Sequence, residues 1–268
     1  MATEPVIPSE GRAVLHLFFH VRHELTEGAG GAARDFAARV DGFDQREGCQ
    51  VLAFSVLGQK ADIGLMALGP DLTELDRFSV DLASSPLGQV LAPAASYLSL
   101  TEISEYTSTE DDEAARLVEE EGLEAGSEAH ETALAAFRER MATYTRHKLT
   151  PQLPHRRVIS FYPMSKRRDP DANWYALDFA ARKAMMAGHA AVGRSYRGRV
   201  LQLITGSVGL DDWEWGVTLL ADDPAAIKKI VYDMRFDGVS AHYAEFGPFV
   251  TGLVMSPMDL MHHLRLTG

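Results

Sequence analysis

Apolar and polar positions along this chain follow two alternating rhythms. Short stretches dense in β-branched and aromatic residues are separated by stretches with helical spacing. AVLHLFFHVR at Ala13–Arg22 predicts a first strand. Ala32–Asp41 places Phe36 and Val40 at i and i+4, the mark of a short amphipathic helix. Gln50–Leu57 and Ile63–Leu68 predict a strand pair around the turn GQKAD, Leu72–Ser85 a second helix, and Ala95–Ser104 a closing strand. The second half repeats this order. Strand Arg157–Pro163 precedes helix Leu177–Val192, for which Gly193 is the expected stop. Strands Val200–Thr205 and Glu214–Leu220, helix Pro224–Met234 and strand Phe249–Met255 follow.

The pattern is βαββαβ twice, the ferredoxin-like arrangement in tandem, and the fold class is α+β. A residue echo supports the repeat: Asp62-Ile63-Gly64-Leu65 answers Glu214-Trp215-Gly216-Val217. Two such units bury both apolar faces by packing sheet against sheet. Three regions follow: an N-terminal repeat over 1–109, a connecting region over 110–155 and a C-terminal repeat over 156–268. Ten carboxylates against Arg116 occupy Glu110–Glu131, which reads as a solvated linker or exposed helix. Glu131–His147 reads as a helix with Leu134, Phe137 and Met141 on one face.

Composition narrows the function. The net charge of −12 disfavours nucleic acid, because phosphate binding needs a basic face. The one cysteine, Cys49, forms no intrachain disulfide and supports no cysteine-held cluster. The opening MATEPVIPSEGR lacks the basic and then apolar pattern of a secretory leader, and no apolar run is long enough to cross a membrane. A cytoplasmic protein without membrane contact is expected.

The chemically suggestive residues cluster between Arg157 and Gln202. Val158, Ser160 and Tyr162 share one strand face. SKRRDPDAN is a basic turn, which on composition alone is solvated. His189 sits among Ala187, Gly188, Ala190 and Ala191, so a flat, wide ligand can approach its helix closely. One histidine is no metal site by itself, although a haem iron needs only one proximal protein ligand. Gln202 is a polar side chain on an apolar strand face, where it needs a partner.

The segments FYPMSKRR, NWY, GHAAVGRSYRGRVLQLITGSVGLDDWEWGV and KKIVYDMRFDGVSAHYAEFGPF, with a weaker match in SYLSLTEISEY, resemble the chlorite dismutase-like superfamily. The resemblance is strongest to its peroxide-dependent haem synthases, the coproheme decarboxylases of the Gram-positive type. It implies tandem ferredoxin-like repeats forming an α+β barrel, with the porphyrin in the second repeat and five subunits in a ring. The implied reaction is oxidative decarboxylation of two propionates of Fe-coproporphyrin III (coproheme) by hydrogen peroxide, giving haem b.

The resemblance also assigns roles. His189 becomes the iron ligand, with either Glu245 or Asp237 to orient its free nitrogen. Tyr162 becomes the radical-forming phenol and Lys166 the cation beside the reacting propionate. Met164 packs at the porphyrin edge, and Ser240 donates to a propionate. Lys148 stands where the family usually has arginine, with Arg146 as the alternative. Arg194 either approaches a propionate or closes its helix. Gln202 replaces the arginine of true chlorite dismutases, which argues against chlorite as substrate. A haem carrier or sensor without turnover is the competing reading. Whether the acidic segment meets a coproporphyrin ferrochelatase is left open.

Overall fold

The computed structural model describes residues 6–25 and 30–267. Met1–Pro5, part of the stretch read for a leader, and Gly268 lie outside them, as do Thr26–Ala29. No described helix is long and apolar enough to cross a membrane.

The first repeat runs β1 (Ala13–Val21), α1 (Gly30–Asp44), β2 (Gln50–Val56), β3 (Ile63–Gly69), α2 (Leu72–Ser84) and β4 (Leu91–Thr101). Helices α3 (Glu110–Glu119) and α4 (Glu128–Leu149) connect it to β5 (Val158–Lys166). A two-residue hairpin of β6 (Arg168–Asp169) and β7 (Ala172–Asn173) leads into α5 (Phe179–Arg194), β8 (Val200–Gly206), β9 (Trp215–Ala221) and α6 (Pro224–Met234). Then come α7 (Gly238–Tyr243), β10 (Ala244–Phe246), β11 (Val250–Met255) and α8 (Pro257–His263).

The strand order β5-β11-β2-β3-β1-β4-β8-β9 closes on itself through the β5–β9 pairing. Each repeat contributes four strands in the ferredoxin-like order, and the seams between repeats are β11–β2 and β4–β8. All pairings are antiparallel. Closure removes free sheet edges, and the result is an α+β barrel.

Alternation along the strands sorts side chains into three cores. Val14, Phe18, Phe54, Met66, Tyr97 and Phe161 fill the barrel interior. Outward-facing residues of the first repeat, such as Ala13, Leu17, Ile63 and Leu65, pack against Phe36, Val40 and Phe43 of α1, Leu75 and Phe78 of α2, and Leu260 of α8. Phe36, Val40 and Phe43 recur at i, i+4 and i+7, the spacing of one helix face. Outward residues of the second repeat, including Val158, Tyr162, Val217 and Leu219, face α5 and α6.

The echo between repeats has a steric cause. A Cβ on Gly64 would overlap the Phe54 ring, and a Cβ on Gly216 would overlap the Tyr97 ring. In each repeat the third strand therefore keeps a glycine where an aromatic ring crosses it inside the barrel.

His16 is fully buried in that interior, stacked on Phe161 at 4.0 Å between centroids, with Nε2 3.0 Å from Thr218 Oγ1. Burial lowers its pKa to about 3, so the ring is neutral.

The acidic segment is more structured than a linker. Thr109 caps α3 through a capping box with Asp112. Arg138 and Arg140 of α4 pair with Glu110 and Glu113, and Lys183 of α5 pairs with Asp112 at 2.8 Å. The carboxylates that looked like a solvated run are thus partly neutralised by basic residues distant in sequence.

Candidate functional site

In the second repeat the space between the sheet and α5 is incompletely filled by side chains. Only Gly193 of α5 is buried, because the helix borders a cavity of about 700 Å³. That volume lies within the range of about 300–1,000 Å³ usual for cofactor pockets. Strand β5 supplies Tyr162, Met164 and Lys166 to its wall, β8 supplies Gln202, α5 supplies His189, and α4 supplies Lys148. The period of two along β5 aims its three side chains to the same face.

α5 is held by Asp178, whose side chain accepts from Ala181 N at 2.7 Å as an N-cap. Gly193 does not end the helix as expected; α5 continues through Arg194. Its glycine has a packing role. A Cβ there would press on Gln202 Oε1 and Met234 Cε, and Gln202 Nε2 donates to Gly193 O at 2.9 Å. The amide that looked unpartnered on its strand thus ties β8 to the helix that carries His189.

His189 Nδ1 is 2.9 Å from Asp237 Oδ2. Asp237 caps α7: its Oδ1 accepts from Val239 N at 2.9 Å and Ser240 N at 3.0 Å, and its Oδ2 from Ser240 Oγ at 3.1 Å. Burial opposes the charge on Asp237, but the hydrogen bonds from Ser240 and His189 outweigh it and its pKa lies below the ordinary value. A carboxylate on Nδ1 makes that nitrogen the donor and leaves Nε2 with its lone pair toward the cavity, as a metal-bound imidazole requires.

Tyr162 is 5% exposed and stacks on Phe249 at 4.2 Å, with Phe246 at 5.8 Å. Burial raises its pKa to about 12, with Arg235 opposing, so the phenol keeps its proton. Lys166 is 9% exposed, and its Nζ lies 4.6 Å over the Trp174 ring. Burial lowers its pKa to about 8, against the pull of Asp237 and Glu214. Glu214 accepts from Lys166 N at 2.7 Å. Burial also lowers the pKa of Lys148. Among the described residues neither lysine has a carboxylate at ion-pair distance. Two cavity-lining cations without a carboxylate partner among the described residues suit an anionic ligand, and a free imidazole nitrogen suits an iron centre. The site fits a porphyrin with carboxylate side chains.

Two sequence candidates lie elsewhere. Arg194 is exposed at the end of α5 and does not line the cavity. Ser240 also lies off the wall, its hydroxyl engaged by Asp237. Of the pair left open near the end of α4, Lys148 lines the cavity and Arg146 is exposed. Of Glu245 and Asp237, it is Asp237 that meets His189. The spacing Asp237-Gly238-Val239-Ser240, a short capping pattern, was the available signal. Glu102 lines the cavity and Glu214 holds the main chain of Lys166, both without any sequence signal of that kind, while Trp174, from the NWY segment, lines the wall under Lys166. Among the described residues no cluster of three or more His, Cys, Asp or Glu side chains could hold a metal ion.

The comparisons agree with this geometry. The family model described as chlorite dismutase matches residues 29–255. A Natronomonas pharaonis protein named for heme binding is 38% identical over 266 residues, covering 96% of this chain and 41% of that protein. The chain thus spans about two fifths of that relative's length. A heme-binding protein from Thermus thermophilus superposes with a TM-score of 0.78 at 32% identity, covering 98% of this chain and 99% of that one. A variant of chlorite dismutase from Candidatus Nitrospira defluvii has the same fold, with a TM-score of 0.71, 17% identity and 97% of each chain covered. The chain belongs to the chlorite dismutase family.

Proposed function

We propose that this protein binds Fe-coproporphyrin III through His189 and, with hydrogen peroxide, converts two of its propionates to vinyl groups, yielding haem b. The observation that carries this reading is that His189, Tyr162 and Lys166 line one cavity. A binding protein needs the first; only propionate oxidation calls for all three.

For each side chain, propionate, peroxide and one proton give vinyl, carbon dioxide and two waters, so charge and atoms balance. The iron porphyrin, when bound, supplies the peroxide-derived oxidising power. Asp237 holds the His189 imidazole in the tautomer that leaves Nε2 free. Tyr162 keeps its proton at neutral pH, and no hydrogen bond to its hydroxyl from a described residue diverts it. Tyr162 gives an electron to the peroxide-derived oxidising power and its proton to solvent, forming a neutral phenoxyl. The phenoxyl takes a hydrogen atom from a propionate chain and returns to phenol. The second oxidising equivalent of the peroxide takes the electron released as carbon dioxide leaves and the vinyl group forms. Lys166, mostly protonated near neutrality, orients the carboxylate and keeps it ionised. Gln202 brings no charge and is bonded to Gly193, so nothing at that position holds an anionic oxidant as an arginine would. That disfavours chlorite as substrate.

The second reading, heme binding without turnover, is favoured by the names of the Natronomonas and Thermus relatives. A peroxide titration of the coproheme complex separates the two. Stepwise loss of two carbon dioxide units by product mass supports the enzyme; bleaching alone supports the carrier.

A further inference from the structure

Glu102 follows β4 and enters the cavity from the first repeat, across the β4–β8 seam. Its Oε1 accepts from Trp215 Nε1 at 3.0 Å. Its other oxygen lies over Gly206, where a Cβ would overlap the carboxylate. Thr101, the preceding residue, donates its hydroxyl to Leu149 O at 2.7 Å. The end of β4 is thereby fastened to the end of α4, beside Lys148 on the same cavity wall.

The charges around Glu102 are mostly its own sign. Glu105 is on its own segment, and the Asp211 and Glu214 charges, like its own, act on neighbouring Tyr97. Arg182 of α5 pairs with Glu105 at 3.7 Å, and no described cation is at ion-pair distance from Glu102. Burial, opposed by the Trp215 hydrogen bond and assisted by Glu105, raises its pKa. Lys148 and Lys166 are the cations on the cavity wall, Glu10 and Glu105 the other carboxylates, and Tyr106, Tyr144, Tyr175 and Tyr162, with His189, its remaining titratable groups.

We infer that Glu102 is a ligand-contacting residue: with Oε1 held by the Trp215 N–H, its Oε2–H donates a hydrogen bond to a carboxylate of the bound porphyrin at this end of the cavity. This rests on the porphyrin reading of the cavity. The Trp215 N–H fixes Oε1 as an acceptor, so a proton taken up by this carboxyl goes to Oε2. An ionised Glu102 would repel a ligand carboxylate, whereas O–H···O⁻ is a short, charge-assisted bond. The ligand's charge raises the Glu102 pKa further, so binding takes up a proton. The contact is therefore present below the bound-state pKa and lost as pH rises through it, at most about tenfold in affinity per pH unit. A vinyl group cannot accept this bond, so Glu102 favours a porphyrin that still carries its propionate over one that has lost it.

The test is equilibrium binding of iron-free coproporphyrin III, followed by quenching of porphyrin fluorescence between about pH 5.5 and 8. Glu102→Gln keeps the acceptor for Trp215 and offers a donor that does not titrate; an unchanged melting temperature verifies its fold. Wild type should lose affinity with rising pH more steeply than Glu102→Gln, and Glu102→Ala should bind more weakly than wild type at the acid end. Lys148 and Lys166 titrate in all three proteins, so the difference in slope isolates Glu102. Equal slopes in wild type and Glu102→Gln overturn the assignment while leaving the porphyrin site standing. Failure of wild type to bind removes the porphyrin reading and this assignment with it.

Discussion

His189 Nδ1 and Asp237 Oδ2 are 2.9 Å apart, and the same carboxylate receives three hydrogen bonds from Val239 and Ser240. The aspartate is fixed by its capping role before it meets the histidine. Ring orientation on α5 is thus set by the start of α7, forty-eight residues further along the chain.

Asp237→Ala should therefore loosen His189, the proposed iron ligand, as well as α7. Loss of a partner to a metal-bound imidazole costs about 10–100-fold in affinity, and a helix cap contributes about 1 kcal/mol. Haem titration by absorbance and a thermal melt measure the two effects separately. Asp237→Asn should retain most of the melt, since an amide oxygen still caps, while weakening the haem spectrum's ligand signature.

Lys166→Ala should reduce decarboxylation more than porphyrin affinity, because one charged hydrogen bond among several contributes about 1.5–3 kcal/mol. Its lowered pKa gives a further expectation. The ammonium is present below about 8 and lost above it, so the wild-type rate should fall as pH rises through about 8. A rate profile that keeps that limb in Lys166→Ala would assign it to another group.

His16 gives the barrel a sensitivity to acid. Its folded pKa of about 3 is below the ordinary 6.5, so the unfolded chain takes up a proton first. Stability from this site is complete above about 6.5 and declines as pH falls toward about 3. Melting temperatures across that window should fall less steeply in His16→Phe than in wild type.

Gly64→Ala should destabilise the fold by about 1–3 kcal/mol through overpacking against Phe54. Chemical denaturation measures it. The partner change Phe54→Leu, made together with Gly64→Ala, should recover part of the loss if the clash is the cause.

Much of the fold was legible because alternation and helical spacing are local. The twelve elements of the two repeats, and the glycines Gly64 and Gly216 that echo between them, can be read from neighbouring residues. Closure of the barrel was implied only by the family resemblance and not by periodicity, since the β11–β2 and β4–β8 seams join segments far apart in sequence. The site divides the same way. Tyr162 could be placed on a strand face, but the sequence pattern ends that strand at Pro163 and puts Lys166 in a solvated turn. β5 instead runs through the proline to a buried Lys166, which brings Tyr162, Met164 and Lys166 to one face. Glu102, which reaches the cavity from the other repeat, and the Asp112–Lys183 pair that ties α3 to α5, depend on tertiary placement. Gln202 could be read as a polar side chain in need of a partner, but the partner, the main chain of Gly193, is not revealed by a pattern of side chains.

The central claim is that Tyr162 converts oxidising power in this cavity into loss of propionate carboxyls. Tyr162→Phe keeps the stacking on Phe249 and removes only the hydroxyl. The measurement is product mass after stepwise addition of peroxide to the coproheme complexes of wild type and Tyr162→Phe. Wild type should yield a porphyrin lighter by two carbon dioxide units with their hydrogens, and the variant should bind coproheme equally well yet release none. Haem b formed by the variant at the wild-type rate would contradict the account.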